Sequence, residues 1–236
     1  VWEIATPDGP WVVKRAAPER VRLEAATLAR LAGSGVAPRL VAAGETTLIT
    51  ERVAGGPRGP AGWSAGDAAA LGALLARVHR VPAPDGHAAG AVDHGAQLAG
   101  IRADCRTGPQ MTLEAAVAAL PAPTAEPPVL LHGDPWSGNV VWSPAGPVLV
   151  DWEFARAGEP AEDLAYLAAV DELPDAALAA VLGGYGADPV LSARVAAWRP
   201  LMAVWCGVWL ADRGADDRGA RLVAHAERLL MPTQAN

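Results

Sequence analysis

The sequence lacks any apolar run long enough to cross a bilayer: Leu201 to Ala211, the longest near the end, has the length of a buried helix and falls short of the roughly 20 residues a span requires. Its first residues show no basic, then apolar, then cleavable pattern, so no secretory leader is expected from them. Cysteine is scarce. Cys105 and Cys206 are too few for a disulfide framework and have no metal-ligand spacing, which points to reduced thiols in a cytoplasmic protein. Positive charge is also short: 19 Lys and Arg against 26 Asp and Glu leave a formal net charge of -7. That balance argues against a nucleic-acid partner and favours a cationic or metal-bound one. With 51% hydrophobic and 19% charged residues, disorder is expected only at the ends, and 236 residues bury a core as one large domain or two small lobes.

What the sequence does have is concentrated in residues 129 to 153, VLLHGDPWSGNVVWSPAGPVLVDWE. Val129-Leu130-Leu131 reads as a buried strand that stops at His132-Gly133-Asp134. Val140 to Trp142 and Val148 to Val150 read as two more, joined by the turn from Ser143 to Pro147. Pairing symmetric about Ala145 sets Asn139 opposite Asp151, with Cβ atoms about 5 Å apart. Amide carbonyl and carboxylate oxygens are the hard ligands that Mg²⁺ prefers, and it takes only one or two from a protein when phosphate and water complete its shell. Asp134, five residues before Asn139, sits where a tight loop aims a carboxylate at a substrate hydroxyl. Each of these residues alone is ordinary turn chemistry. Their order, spacing and flanking strands together point to a site.

Upstream, Val1 to Thr6 and Trp11 to Arg15 form a hairpin around Pro7-Asp8-Gly9-Pro10, with Lys14 closing the second strand. A helix from Pro18 to about Ala32 carries the apolar stripe Val21, Leu28, Leu31, and Glu24 falls on that stripe. A buried carboxylate needs a partner, and Lys14 is the nearest candidate. Strands at Leu40 to Ala43 and Thr47 to Val53 lead into a Gly/Pro-rich run, Gly55 to Gly62, that marks a boundary. Ser64 and Asp67 make a capping box for a helix reaching Arg80, where His79 is a packed histidine. His87 and His94 have no metal pattern, residues 95 to 120 add helices, and Pro121 to Pro128 is a connector. Glu159-Pro160 opens a helix that holds Asp163 in its first turn, a place where the helix dipole favours a carboxylate by about 0.3–1 kcal/mol. Further helices run from Asp175 to Leu182, from Ser192 to Asp212 with an interruption at Pro200, and from Asp217 to Leu230. Trp198, Trp205 and Trp209 recur at helical spacing, either as a core stripe or as a box for a quaternary ammonium group or sugar. Asp212, Asp216 and Asp217 form either a solvated turn or a polyamine contact.

The pattern H-G-D-x-x-x-x-N followed by D-W-E resembles the catalytic and metal loops of the kinase-like phosphotransferases: aminoglycoside phosphotransferases, choline and thiamine kinases, and fructosamine kinases. The resemblance implies an α+β fold of two lobes like a protein kinase, with a small antiparallel-sheet lobe over residues 1–54, a hinge at 55–62 and a mainly helical lobe over 63–236. It implies transfer of the γ-phosphate of ATP to a small-molecule hydroxyl with Mg²⁺. By position, Asp134 is the catalytic carboxylate, and Asn139 and Asp151 hold the metal. Lys14, held by Glu24, touches the nucleotide phosphates. The Glu51 carbonyl and Val53 amide meet the adenine with Thr50 beside them, and His132 and Asp163 support the loop. Glu153 approaches either a second metal or a substrate amine. HGDPWSGN is most like the fructosamine kinases and VDWEFARAGEPAEDLAYL like the choline and thiamine kinases, so the chemistry is indicated before the substrate. Trp136 stands where protein kinases carry a lysine, which points to a small-molecule acceptor. The family's first strand and phosphate-covering loop have no counterpart upstream of Val1-Trp2-Glu3-Ile4, so the nucleotide lobe is expected to be truncated, the alternative being that the nucleotide lid is genuinely lost. The rival reading is a non-catalytic nucleotide-binding module. Nothing in the sequence indicates an oligomeric state.

Overall fold

The structure is a computed structural model that describes residues 1–7, 9–82, 109–122, 124 and 126–231. Two β-rich stretches flank Pro7 and fold back as β1 (Trp2–Thr6) and β2 (Gly9–Arg15), paired antiparallel with Thr6 opposite Gly9. Pro18, in the first turn, and Glu19 start α1 (Pro18–Arg30), which buries Val21, Glu24, Thr27 and Leu28. β3 (Leu40–Ala43) and β4 (Thr47–Glu51) complete a four-stranded antiparallel sheet of order β1-β2-β4-β3.

Beyond a single 3₁₀ turn at Pro60–Gly62, α2 (Ala65–Val78) starts with the expected box: the Asp67 amide donates to Ser64 Oγ at 3.1 Å and the Ser64 amide to Asp67 Oδ2 at 2.9 Å. α3 (Pro109–Ala118) leads towards β5 (Val129–Leu131); His87, His94, Cys105 and the helices expected before residue 109 lie outside the described residues. A 3₁₀ turn at Ser137–Asn139 then precedes the hairpin β6 (Val140–Ser143) and β7 (Gly146–Leu149). β8 (Arg156–Gly158) returns to pair with β5. α4 (Pro160–Val170), α5 (Asp175–Tyr185), α6 (Pro189–Asp212) and α7 (Asp216–Leu230) make up the rest of the helical part. One core joins α1, α2, α4 and α6 to the hairpin through Leu28, Leu71, Leu149, Trp152, Leu164 and Leu201, all 1% exposed or less. Each such side chain contributes about 1.5–3 kcal/mol on burial. Among the described residues no helix is long and apolar enough to cross a membrane.

Three expectations need correction. The central hairpin pairs Val140 with Leu149 and Ser143 with Gly146, so its turn is the two residues Pro144-Ala145. A two-residue loop is the favoured hairpin connection, and it moves the centre off Ala145. Asn139 therefore faces Val150, whose amide donates to the Asn139 carbonyl at 2.9 Å, and Asp151 lies one residue further on. Second, α6 runs unbroken through Pro200. Interior proline costs a helix about 3 kcal/mol, but Leu201, Met202, Ala203 and Val204 beside it are all buried, and packing of that face outweighs the lost bond. Third, the strand β8 was not expected, because its three residues, Arg-Ala-Gly, carry no β signal of their own.

Candidate active site

The strand β5 ends in His132, and the next two residues are held from behind by α4. Asp163, in the first turn of α4, accepts the His132 amide at 2.8 Å, the Gly133 amide at 2.9 Å and His79 Nε2–H at 3.1 Å. It is 1% exposed. Burial works against its charge, yet the bond from His79 and the two amides hold its carboxyl below the usual range. Gly133 has φ 83°, and a Cβ there would sit 2.3 Å from the Phe154 carbonyl oxygen, so only glycine fits where the loop after β5 passes the chain ahead of β8.

His132 is fully buried, with its Nε2–H donating to the Val150 carbonyl at 3.0 Å and its Nδ1 accepting the Asp134 amide at 3.2 Å. Its ring lies 4.5 Å from that of Trp152. Burial pushes the imidazole below its ordinary pKa, in keeping with a neutral ring that has one donor and one acceptor nitrogen.

On this frame the Asp134 carboxylate faces Asn139, whose Nδ2 donates to Asp134 Oδ2 at 2.8 Å and to the Asp134 carbonyl at 2.9 Å. Burial pushes the Asp134 carboxyl up to about 6, a rise partly offset by hydrogen bonds from Tyr166 and Asn139. The turn between them is pinned by Asp171, which accepts the Ser137 amide at 2.7 Å and the Ser137 hydroxyl at 2.7 Å.

Asp151 follows β7 with φ 68°. That left-handed residue breaks the strand alternation, so Asp151 and Asn139 line the same two cavities although they are not cross-strand partners. Lys14, the one lysine in the sequence, reaches across from β2. Its Nζ bonds Glu24 at 2.8 Å, Glu153 at 3.0 Å and Asp151. Burial alone would lower its pKa, but the bonds from Asp151 and Glu24 more than reverse this, and the ammonium stays charged. Glu24 is 4% exposed, and burial raises its carboxyl against the pull of Lys14. Its second oxygen accepts the Trp152 amide at 3.1 Å, so one side chain fixes both the lysine and the chain beside Asp151.

Two cavities meet at this point. The smaller, of about 350 Å³, is lined by Lys14, Glu24, Thr50, Glu51 and Val53 and reaches Asn139 and Asp151. The larger, of about 990 Å³, is lined by Asp134, Trp136, Tyr166, Trp205 and Trp209 and reaches the same Asn139 and Asp151. Hard oxygen donors of the kind a divalent cation would take converge at their junction, three of them around the Lys14 ammonium. Asn139 commits Nδ2 to Asp134 and keeps Oδ1, and oxygens of Asp151, Glu153 and Glu24 lie within 4.8 Å of one another.

The structure thus gathers Lys14, Glu24, Asp151 and Glu153 into one cluster and Asp134 and Asn139 into a second beside it, with His132 and Asp163 behind. Glu153 binds Lys14 while it also lines the larger cavity. The tryptophan stripe divides: Trp198 is buried, Trp205 is half-buried, and Trp209 is 43% exposed on the cavity wall with the Arg213 guanidinium 3.8 Å from its ring centre. Tyr166 and Asp171 were not foreseen. Tyr166 lies three residues after Asp163 on α4, hence on the same face, and that spacing was the available signal.

The sequence profile of the Phosphotransferase enzyme family matches residues 1–201. Among curated proteins none matches the chain. Solved structures with the same fold include a choline/ethanolamine kinase family protein from Mesorhizobium loti, 18% identical over 91% of this chain and 80% of that one, with a TM-score of 0.71. A macrolide 2'-phosphotransferase from Brachybacterium faecium is 20% identical over 99% and 89%, with a TM-score of 0.65. A provisionally assigned fructosamine-3-kinase from Thermobifida fusca is 25% identical over 97% and 88%, with a TM-score of 0.68.

Proposed function

Because the chain belongs to the Phosphotransferase enzyme family, we propose that it moves the γ-phosphate of ATP to a hydroxyl of a small molecule. The observation that carries this reading is the meeting of the two cavities at Asn139 and Asp151, with Lys14 on one side and Asp134 on the other. The smaller cavity takes the nucleotide, with Thr50, Glu51 and Val53 about the base and Lys14 on the phosphates. Asn139 and Asp151 hold Mg²⁺, which supplies charge neutralisation on the phosphate oxygens.

In the larger cavity Asp134 orients the acceptor hydroxyl and takes its proton. The acceptor oxygen bonds to the γ-phosphorus as the bond from that phosphorus to the bridging oxygen breaks, leaving ADP. Such a transfer depends on placement more than on covalent help. The fixed frame of His132, Gly133 and Asp163 supplies that placement.

Similarity to kinases of choline, macrolides and fructosamines supports a small-molecule acceptor. A quaternary ammonium acceptor is less favoured, because aromatic faces about the cavity carry the chain's own guanidiniums: Arg213 over Trp209 at 3.8 Å, Arg20 over Phe154 at 4.3 Å and Arg218 over Trp136 at 4.9 Å.

The test is a panel of choline, ethanolamine, aminoglycosides, macrolides and fructosamines incubated with Mg-ATP and scored by mass for the gain of one phosphate. A product on any member that disappears in Asp134→Ala supports the reading. Mg-ATP binding with no turnover across the panel favours the non-catalytic module.

A further inference from the structure

The Lys14 ammonium sits among the oxygens that a divalent ion at Asp151 needs. It donates to Glu24 Oε2 at 2.8 Å and to Asp151 Oδ1, and it pairs with Glu153 Oε2 at 3.0 Å. These three carboxylates bring oxygens within 4.8 Å of one another. The set is held by backbone as well as by the lysine, because Glu24 Oε1 accepts the amide of Trp152, the residue between Asp151 and Glu153, at 3.1 Å. Arg20 is the other cation beside it and reaches Glu153 alone, at 4.0 Å from Oε1 and 3.3 Å from the carbonyl. Three negative charges thus draw cations to one point. A divalent ion and an ammonium on the same Asp151 carboxylate repel each other strongly at such range, so Asp151 serves one of them at a time. Lys14 also lines the smaller cavity, and its ammonium turns to phosphate oxygens there without crossing the protein.

We infer that Lys14 and the divalent ion compete for Asp151, so that the metal binds well only with a nucleotide whose phosphates draw Lys14 away. The inference rests on the nucleotide and metal sites of the proposed function and concerns the order in which they fill. Lys14 then acts twice, shielding the acidic set from a lone metal ion and neutralising the phosphates once they arrive.

Mn²⁺, a paramagnetic substitute for Mg²⁺, is titrated against the protein by electron paramagnetic resonance without nucleotide. Lys14→Met keeps most of the side chain's length and removes its charge, and it is expected to bind Mn²⁺ about tenfold or more tighter than the wild type does. Adding Asp151→Asn to that variant is expected to abolish the gain. The one lysine in the sequence gives a second readout that needs no substitution. In protein labelled with [¹⁵N]lysine, the single Nζ resonance is expected to stay in place with Mg²⁺ alone and to move with Mg²⁺ and the non-hydrolysable analogue AMP-PNP together. Mn²⁺ bound as tightly by the wild type as by Lys14→Met, or an Nζ resonance that Mg²⁺ alone moves as far as Mg-AMP-PNP does, overturns the inference. The resonance decides the matter if Lys14→Met fails to fold. Protein that passes both binding tests and phosphorylates no acceptor defeats the proposed transfer and leaves the competition standing.

Discussion

Asp134 combines two demands that oppose each other. Burial raises its carboxyl from 3.8 to about 6, so the folded protein holds the proton more tightly than the unfolded chain does. The cost to stability of carrying the charge is absent below about pH 4, grows as pH rises towards 6 and is complete at pH 7. Asp134→Asn is therefore expected to stabilise the fold at pH 7 by roughly 1–2 kcal/mol, a rise in Tm of a few degrees, and to give no gain near pH 4. Calorimetry at the two pH values checks this. The same substitution is expected to lower kcat by 10²–10⁴, about the range general-base catalysis supplies. In the wild type, kcat/KM is expected to fall as pH drops through about 6, where the carboxylate takes up a proton. At this scale the sequence was informative because Asp134 and Asn139 belong to one short contiguous motif. Tyr166 was not legible: its link to Asp134 spans 32 positions and depends on how α4 packs against the loop.

The elements are joined where backbones touch, and α2 against α5 shows it. A Cβ on Gly184 would lie 2.0 Å from the Ala69 carbonyl oxygen, whereas its neighbour Gly183 has nothing within 4 Å. Gly184→Ala is expected to destabilise by about 1–3 kcal/mol through overpacking. Gly183→Ala is expected to stabilise by roughly 0.5–1 kcal/mol through reduced chain entropy. Opposite shifts in urea midpoint for adjacent glycines check the crossing. The brace from α4 to the loop after β5 admits a similar test. Asp163→Ala leaves the buried His132 and Gly133 amides and the His79 ring without their acceptor, a loss expected to cost about 3–5 kcal/mol in chemical denaturation at pH 7. Helix starts were legible here because capping is local: Ser64 with Asp67, and Pro160 ahead of Asp163. The unbroken α6 was not legible, since only burial of Leu201 to Val204 outweighs Pro200. The turn at Pro144-Ala145 likewise needed the paired strands to fix a register that differs by one residue.

Across the whole molecule, a single cation ties the antiparallel sheet to the loop at Asp151. Lys14 comes from β2, Glu24 from α1, and Asp151 and Glu153 from the chain after β7. The Lys14 to Glu24 pairing was legible because a carboxylate on an apolar helix stripe requires a counter-charge. The inclusion of Glu153 was not, because it depends on the positive φ at Asp151. With this one lysine in the chain, an amine-directed ATP analogue has one side-chain target, and mass spectrometry is expected to find it on Lys14, with protection by Mg-ATP. The two clusters are then separable by binding. Asp151→Ala removes the carboxylate proposed to hold the metal at the junction and is expected to weaken Mg-ATP binding at least tenfold, about 1.4 kcal/mol or more. Asp134→Ala leaves the smaller cavity intact and is expected to bind Mg-ATP as the wild type does while transferring no phosphate. Isothermal titration of the two variants decides it: equal affinities mean that Asp151 holds no metal and that the cavities do not meet at a shared ion.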